Sequence, residues 1–141
     1  MRNNITRPSA RTLVLFAVLV GCGPRDELRR VLVSGEVTYG GQPVAIGQIR
    51  FIPMPGTNGP TSVERIVDKK YTTSSTGGVP VGKHRVEIAS YDPEEYANRP
   101  MGPGTPPIRQ LLPEKYNRES LLEATVESGK RKATLDYQLG R

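Results

Sequence analysis

From Val31 onward, apolar side chains recur at every second position, a rhythm that fits strands and not helices. Val31, Val33, Gly35, Val37 and Tyr39 share one face, and Ser34, Glu36 and Thr38 share the other, which predicts a strand buried on one side. A second strand spans 44–53, where Ile49 and Phe51 alternate with Gln48 and Arg50. Gly47 inside it marks a bulge or a close approach of backbone. A third strand spans 61–68; Val63 and Val67 are its apolar positions, and Arg65 interrupts them on the same face. A short fourth strand at 71–75 and a cleanly alternating fifth at 84–90 follow. Leu122, Ala124 and Val126 mark a sixth. In a seventh, Ala133, Leu135, Tyr137 and Leu139 alternate with Thr134, Asp136 and Gln138. Ser128-Gly129-Lys130-Arg131 between the last two predicts a hairpin, the best-defined element of the pattern. Together, 15 glycines and 13 prolines punctuate these runs. Seven short strands without an amphipathic helix predict an all-β fold: a single seven-stranded antiparallel β-sandwich over 31–141.

The first thirty residues follow another pattern. Met1 to Thr12 holds three arginines and no acid, and Leu13 to Val20 is an unbroken apolar run. Eight residues are too few to span a bilayer, which takes about twenty, so the run reads as the hydrophobic core of an export signal. It ends in Leu19-Val20-Gly21-Cys22, which resembles the lipobox of bacterial lipoproteins. The resemblance implies that 1–21 is a signal peptide cut before Cys22. It also implies that the Cys22 sulfur carries a diacylglyceryl group and that the acylated residue holds the protein in the lipid bilayer of the cell envelope. Gly23 stands where inner-membrane lipoproteins often carry Asp, so the resemblance favours the outer membrane. Residues 22–30 then form the lipidated Cys and a short tether. Gly23 to Arg30, fully extended, reaches about 26–29 Å, and Arg25, Arg29 and Arg30 either touch anionic headgroups or belong to a charged, solvated linker.

The formal charge of +6 must be read with that signal in mind. Arg2, Arg7 and Arg11 lie in the first 21 positions, which contain no acid, so the chain from Cys22 onward carries +3. A charge that small, without stacking aromatics, zinc-finger spacing or a recognition helix, argues for no nucleic-acid partner. Cys22 is the single cysteine, which rules out an intramolecular disulfide framework.

Val33-Ser34-Gly35-Glu36-Val37-Thr38-Tyr39-Gly40-Gly41-Gln42-Pro43-Val44 resembles the opening of carboxypeptidase regulatory-like domains. Ile49 to Pro53, Gly78 to Ile88, and Leu112 to Asn117 through Leu139 resemble their later motifs. The resemblance implies a transthyretin-like β-sandwich, with an Ig-like Greek key as the alternative, of the kind common in small bacterial lipoproteins. Such domains act as accessory or spacer modules and bring no catalytic residues. Asp68-Lys69-Lys70 departs from the pattern, because it lacks the glycine that eases a positive-φ hairpin turn.

The chemistry-bearing residues point away from catalysis. His84 is the only histidine, no Ser–His–acid arrangement is recognisable, and Gly-x-Ser-x-Gly is absent. Asp92, Glu94 and Glu95 offer oxygen ligands in a spacing that matches no calcium loop. Glu94-Glu95 and Glu119-Glu123 come nearest to paired carboxylates, but Glu94 and Glu95 are adjacent and face opposite ways on an extended chain. Gly77, Gly78 and Gly82 lack the helix and Lys-Ser/Thr of a phosphate cradle. The expectation is therefore no metal, no cofactor and no enzymatic activity. Two surfaces are candidates for contact. One is the Pro-rich loop 92–120, longer than compact domains ordinarily hold, with Tyr91, Tyr96, Met101, Ile108 and Tyr116 as partner-contact residues; Leu111 and Leu112 are further apolar anchors. The loop either covers an open sheet edge or recognises an envelope protein or wall polymer. The other is Lys130-Arg131-Lys132, a candidate contact for acidic polysaccharide or lipid phosphate. The functional expectation is a lipid-anchored binding, accessory or spacer module. A transthyretin-like oligomeric small-ligand carrier and an envelope hydrolase are the alternatives.

Overall fold

The computed structural model describes residues 28–100 and 102–141. Its strands are β1 (Arg30–Tyr39), β2 (Gln42–Pro43), β3 (Ile46–Pro53), β4 (Ser62–Val67), β5 (Lys70–Thr72), β6 (Val79–Pro80), β7 (Gly82–Tyr91), β8 (Glu123–Val126), β9 (Lys132–Thr134) and β10 (Tyr137–Leu139). A one-turn helix, α1 (Pro93–Ala97), and a 3-10 turn (Glu114–Tyr116) interrupt them. The strands join in one curled sheet of order β10-β1-β5-β4-β3-β7-β8, with β2, β6 and β9 also paired to β1. The sheet turns over where β4 meets β5, at the single pair Val67↔Lys70. That fold brings Val31, Val33 and Val37 into one core with Ile49, Phe51, Val86 and Ile88. The all-β, sandwich-like architecture is the expected one.

Three strands keep the expected faces. In β1, β3 and β7 the buried side chains are those the alternation assigns, and the charged ones point outward. Gly47 is a close approach: a Cβ there would lie 2.3 Å from the Ala89 carbonyl oxygen.

Two expectations are corrected. In β4 the buried residues are Ser62, Glu64 and Ile66, while Val63, Arg65 and Val67 face outward, so the apolar alternation does not mark the core side. Glu64 is tolerated inside because the loop after β5 brings hydroxyls to it. Ser75 Oγ donates to both carboxylate oxygens at 2.7 Å, and Thr76 Oγ1 donates at 2.8 Å. The closing hairpin, in turn, does not form. β8 pairs antiparallel with β7, whereas β9 and β10 run parallel to β1. Residues 127–131 are thus a crossover between the two halves of the sandwich.

The β4–β5 turn forms despite lacking glycine. Asp68 and Lys69 take φ of 46° and 65°, values that cost an L-residue about 1 kcal/mol or more. Tertiary hydrogen bonds hold them there: Asp68 N–H donates to Ala45 O and Lys69 N–H to Val44 O, both at 2.8 Å, and Lys69 O accepts from Val37 N–H at 2.7 Å.

His84 is 0 % exposed on the inner face. Its Nδ1 sits 3.2 Å from Gly82 O, and Nε2 has no partner among the described residues. Burial holds its pKa below the ordinary 6.5. The resulting stability is full above pH 6.5. Below that value the unfolded chain takes up a proton that the folded chain refuses, so stability is lost as pH falls through the folded pKa. Thermal melts from about pH 7 to about pH 5 are expected to show this decline, and His84→Leu to flatten it. An equal decline in the variant would assign it to other groups.

Candidate functional site

The long segment after β7 folds back on its own sheet. Asp92 caps α1, its Oδ1 accepting from Glu94 and Glu95 N–H at 2.9 and 3.0 Å, with Pro93 opening the helix. The cap sets Tyr96 on Tyr91, rings stacked at 5.9 Å and 16°, and Arg65 from the outward face of β4 lies 5.5 Å over the Tyr96 ring. Further on, Leu111 N–H bonds Ser90 O at 2.9 Å, and Gln110 Oε1 accepts from Ser90 N–H at 2.8 Å. Leu112 is buried in the core, and Ser120 Oγ donates to Val86 O. The edge of β7 that β8 leaves open is therefore covered by residues 110–112 and 120–122.

Between these anchors, Arg99, Pro107 and Ile108 lie over the outward face of β3 and β7. Two grooves of about 630 and 720 Å³ result, both lined by Gln48, Tyr91, Arg99 and Ile108. The first adds Arg50, Glu87, Glu114 and Arg118, and the second adds Val63, Glu64, Arg65 and Tyr96. Glu87 is shared by Arg50 at 3.0 Å and Arg85 at 2.8 Å, and Arg118 pairs with Glu114. Arg65 and Arg99 have no carboxylate partner among the described residues. Arg99 donates to Pro106 O and Arg65 meets only an aromatic face. Burial raises the Tyr91 pKa, with the neighbouring Tyr96 adding to the effect, so the Tyr91 hydroxyl stays a neutral donor at physiological pH. Chemically, the trough offers guanidinium groups and flat aromatic faces, a combination suited to carboxylate or phosphate groups on an extended ligand.

The expected contact residues divide. Tyr91, Tyr96 and Ile108 line the trough. Tyr116 does not: it packs edge-on to Tyr39 at 6.3 Å, and its hydroxyl donates to Gly140 O at 2.8 Å, pinning the C-terminal residues. Met101 and the lipobox residues Leu19, Val20, Gly21 and Cys22 lie outside the described residues. Lys130, Arg131 and Lys132 are exposed on the 127–131 crossover and the start of β9, remote from the trough. Asp92 spends its carboxylate on the helix cap, and among the described residues no three His, Cys, Asp or Glu side chains gather as metal ligands would. His84 reaches neither groove. The arginines of the trough were missed because outward positions of a strand carry charge as a matter of course. The one signal was Arg65, seated between two apolar residues on the same face.

No family model matches the chain, and no curated protein or solved structure is significantly similar to it.

Proposed function

We propose that the chain is a non-catalytic, lipid-anchored module of the bacterial cell envelope, tethered through Cys22. In this reading it recognises an anionic segment of another envelope component in the trough lined by Tyr91, Arg99 and Ile108. The observation that carries the recognition is the pair Arg65 and Arg99, held in a groove beside stacked tyrosines and without ion-pair partners among the described residues. Each charge-assisted hydrogen bond lost from such a contact costs about 1.5–3 kcal/mol.

The test is in-cell crosslinking of the full chain, wild type against Arg65→Glu/Arg99→Glu, in strains of equal expression. A crosslinked species seen with the wild type and lost in the variant supports recognition through the trough. The same species in both leaves the domain a spacer. Replacing the whole of 92–120 is the wrong control, because Leu112 and Ser120 belong to the core. Incorporation of labelled fatty acid into the wild type and not into Cys22→Ser tests the anchor separately.

A further inference from the structure

We propose that the end of the sandwich where the chain arrives from Cys22 is a seat for an anionic lipid surface, with Lys130, Arg131 and Lys132 as its contact residues. The orientation rests on Cys22 being the anchor, whereas the affinity for lipid does not.

Strand register gathers this end. Arg30 pairs with Pro80, Leu32 with Lys132, and Gly82 with Val126. The start of β1, the start of β7 and the 127–131 crossover therefore meet at one pole. Arg131 O accepts from Leu32 N–H at 3.0 Å, so the backbone is fixed while the three basic side chains stay exposed. Arg29 and Lys83 are exposed at the same pole. Among the described residues at this pole, Glu127 is exposed and pairs with Lys130. Arg131 and Lys132 have no carboxylate partner among the described residues. Leu28, near Pro80, and Leu32, paired with Lys132, are exposed at this pole to 40 % and 37 %. Cations interspersed with partly exposed leucines suit a headgroup layer, where the charge meets phosphate and the apolar side chain enters the acyl boundary. The far pole differs, with Asp68, Asp92, Glu94 and Glu95 interspersed with Lys69, Lys70 and Arg141.

Length agrees with this placement. Residues 23–28 reach roughly 20 Å even when fully extended. A domain so tethered keeps this pole close to the bilayer, where a field that decays over about 10 Å at 0.1 M salt still acts on it.

The experiment is vesicle flotation of the chain from residue 22 carrying Cys22→Ser. Every buried core residue of the described structure lies within 28–141, so this chain keeps the whole fold and lacks only the lipid. The probes are vesicles of phosphatidylcholine alone and of an equal mixture with phosphatidylglycerol, at low and high salt. The expected result is binding to the anionic vesicles alone, weakened by salt. Lys130→Gln/Arg131→Gln/Lys132→Gln should weaken it on the order of 100-fold. Glu127→Gln, which removes the carboxylate partner of Lys130, should strengthen it several-fold. Lys69→Gln at the far pole should leave it unchanged. Absence of binding by the parent chain, or equal binding by the triple variant, overturns the proposal. So does retention on an acidic polysaccharide without vesicle binding, which would make the pole a polysaccharide site. Failure of Cys22 to take up labelled fatty acid would remove the anchor and leave the vesicle result standing on its own.

Discussion

Gly35→Ala is expected to destabilise the protein by about 3 kcal/mol, near the upper end of what an inserted methyl group does in a packed interior. A Cβ at this position would lie 1.9 Å from the Leu135 carbonyl oxygen and 2.7 Å from its carbon. Both are backbone atoms, so no side-chain rotation relieves the clash. Leu135 cannot retreat without loss, because three hydrogen bonds hold it and its neighbour. Leu135 N–H donates to Ser34 O at 2.9 Å, Tyr71 Oη donates to Leu135 O at 2.7 Å, and Asp136 Oδ1 accepts from Glu36 N–H at 2.8 Å. Displacement would strand the buried Tyr71 hydroxyl, which cannot escape by ionising, since burial beside Tyr137 and Asp136 drives its pKa far up. Urea melts followed by circular dichroism measure the loss, which corresponds to a drop of about 10 °C in Tm. A variant within about 0.5 kcal/mol of the wild type would mean that β1 and residues 132–139 are not in contact as described.

The second large effect is expected at Phe51. Its ring is fully buried, 6.1 Å from Tyr71 and 6.4 Å from His84 between ring centres. It thus bridges the two halves of the curled sheet. Phe51→Ala should cost about 3–5 kcal/mol, the transfer term plus the cavity it leaves. Phe51→Leu, which keeps most of the volume, should cost clearly less. If both cost the same, measured by the same urea melts, the ring is not packed at that junction.

How far the sequence discloses this structure depends on the reach of each signal. Alternation is local, and it marks the faces of β1, β3 and β7 because their inward residues are Val, Ile and Phe and their outward ones are charged. It misleads at β4, where Val63 and Val67 face out and Glu64 faces in. The hydroxyls that make Glu64 acceptable come from Ser75 and Thr76, eleven and twelve residues on, and nothing in a period-two pattern announces them. The closing hairpin fails for a related reason. Alternation says that residues form a strand and a Ser-Gly turn says that the chain bends, but neither says which strand lies alongside. Parallel partners for β1 that lie about a hundred residues away leave no local trace. At the site, Tyr91, Tyr96 and Ile108 were legible as apolar residues in a segment too long for an idle loop. Arg65 and Arg99 gain meaning only once that segment lies over the sheet.

The first strand of the domain is completed by its last two. β1 is flanked on one side by β9 and β10 and on the other by β2, β5 and β6, so residues 30–39 find their full set of neighbours only when residues 132–139 are present. For a chain synthesised or threaded from its N-terminus, this is a built-in delay. Every intermediate length exposes the Val31, Val33 and Val37 strand with one flank bare, and closing that flank means bringing together residues separated by nearly the whole domain, a slow step. Such a polypeptide cannot complete the pairing of its first strand until residues 132–139 arrive.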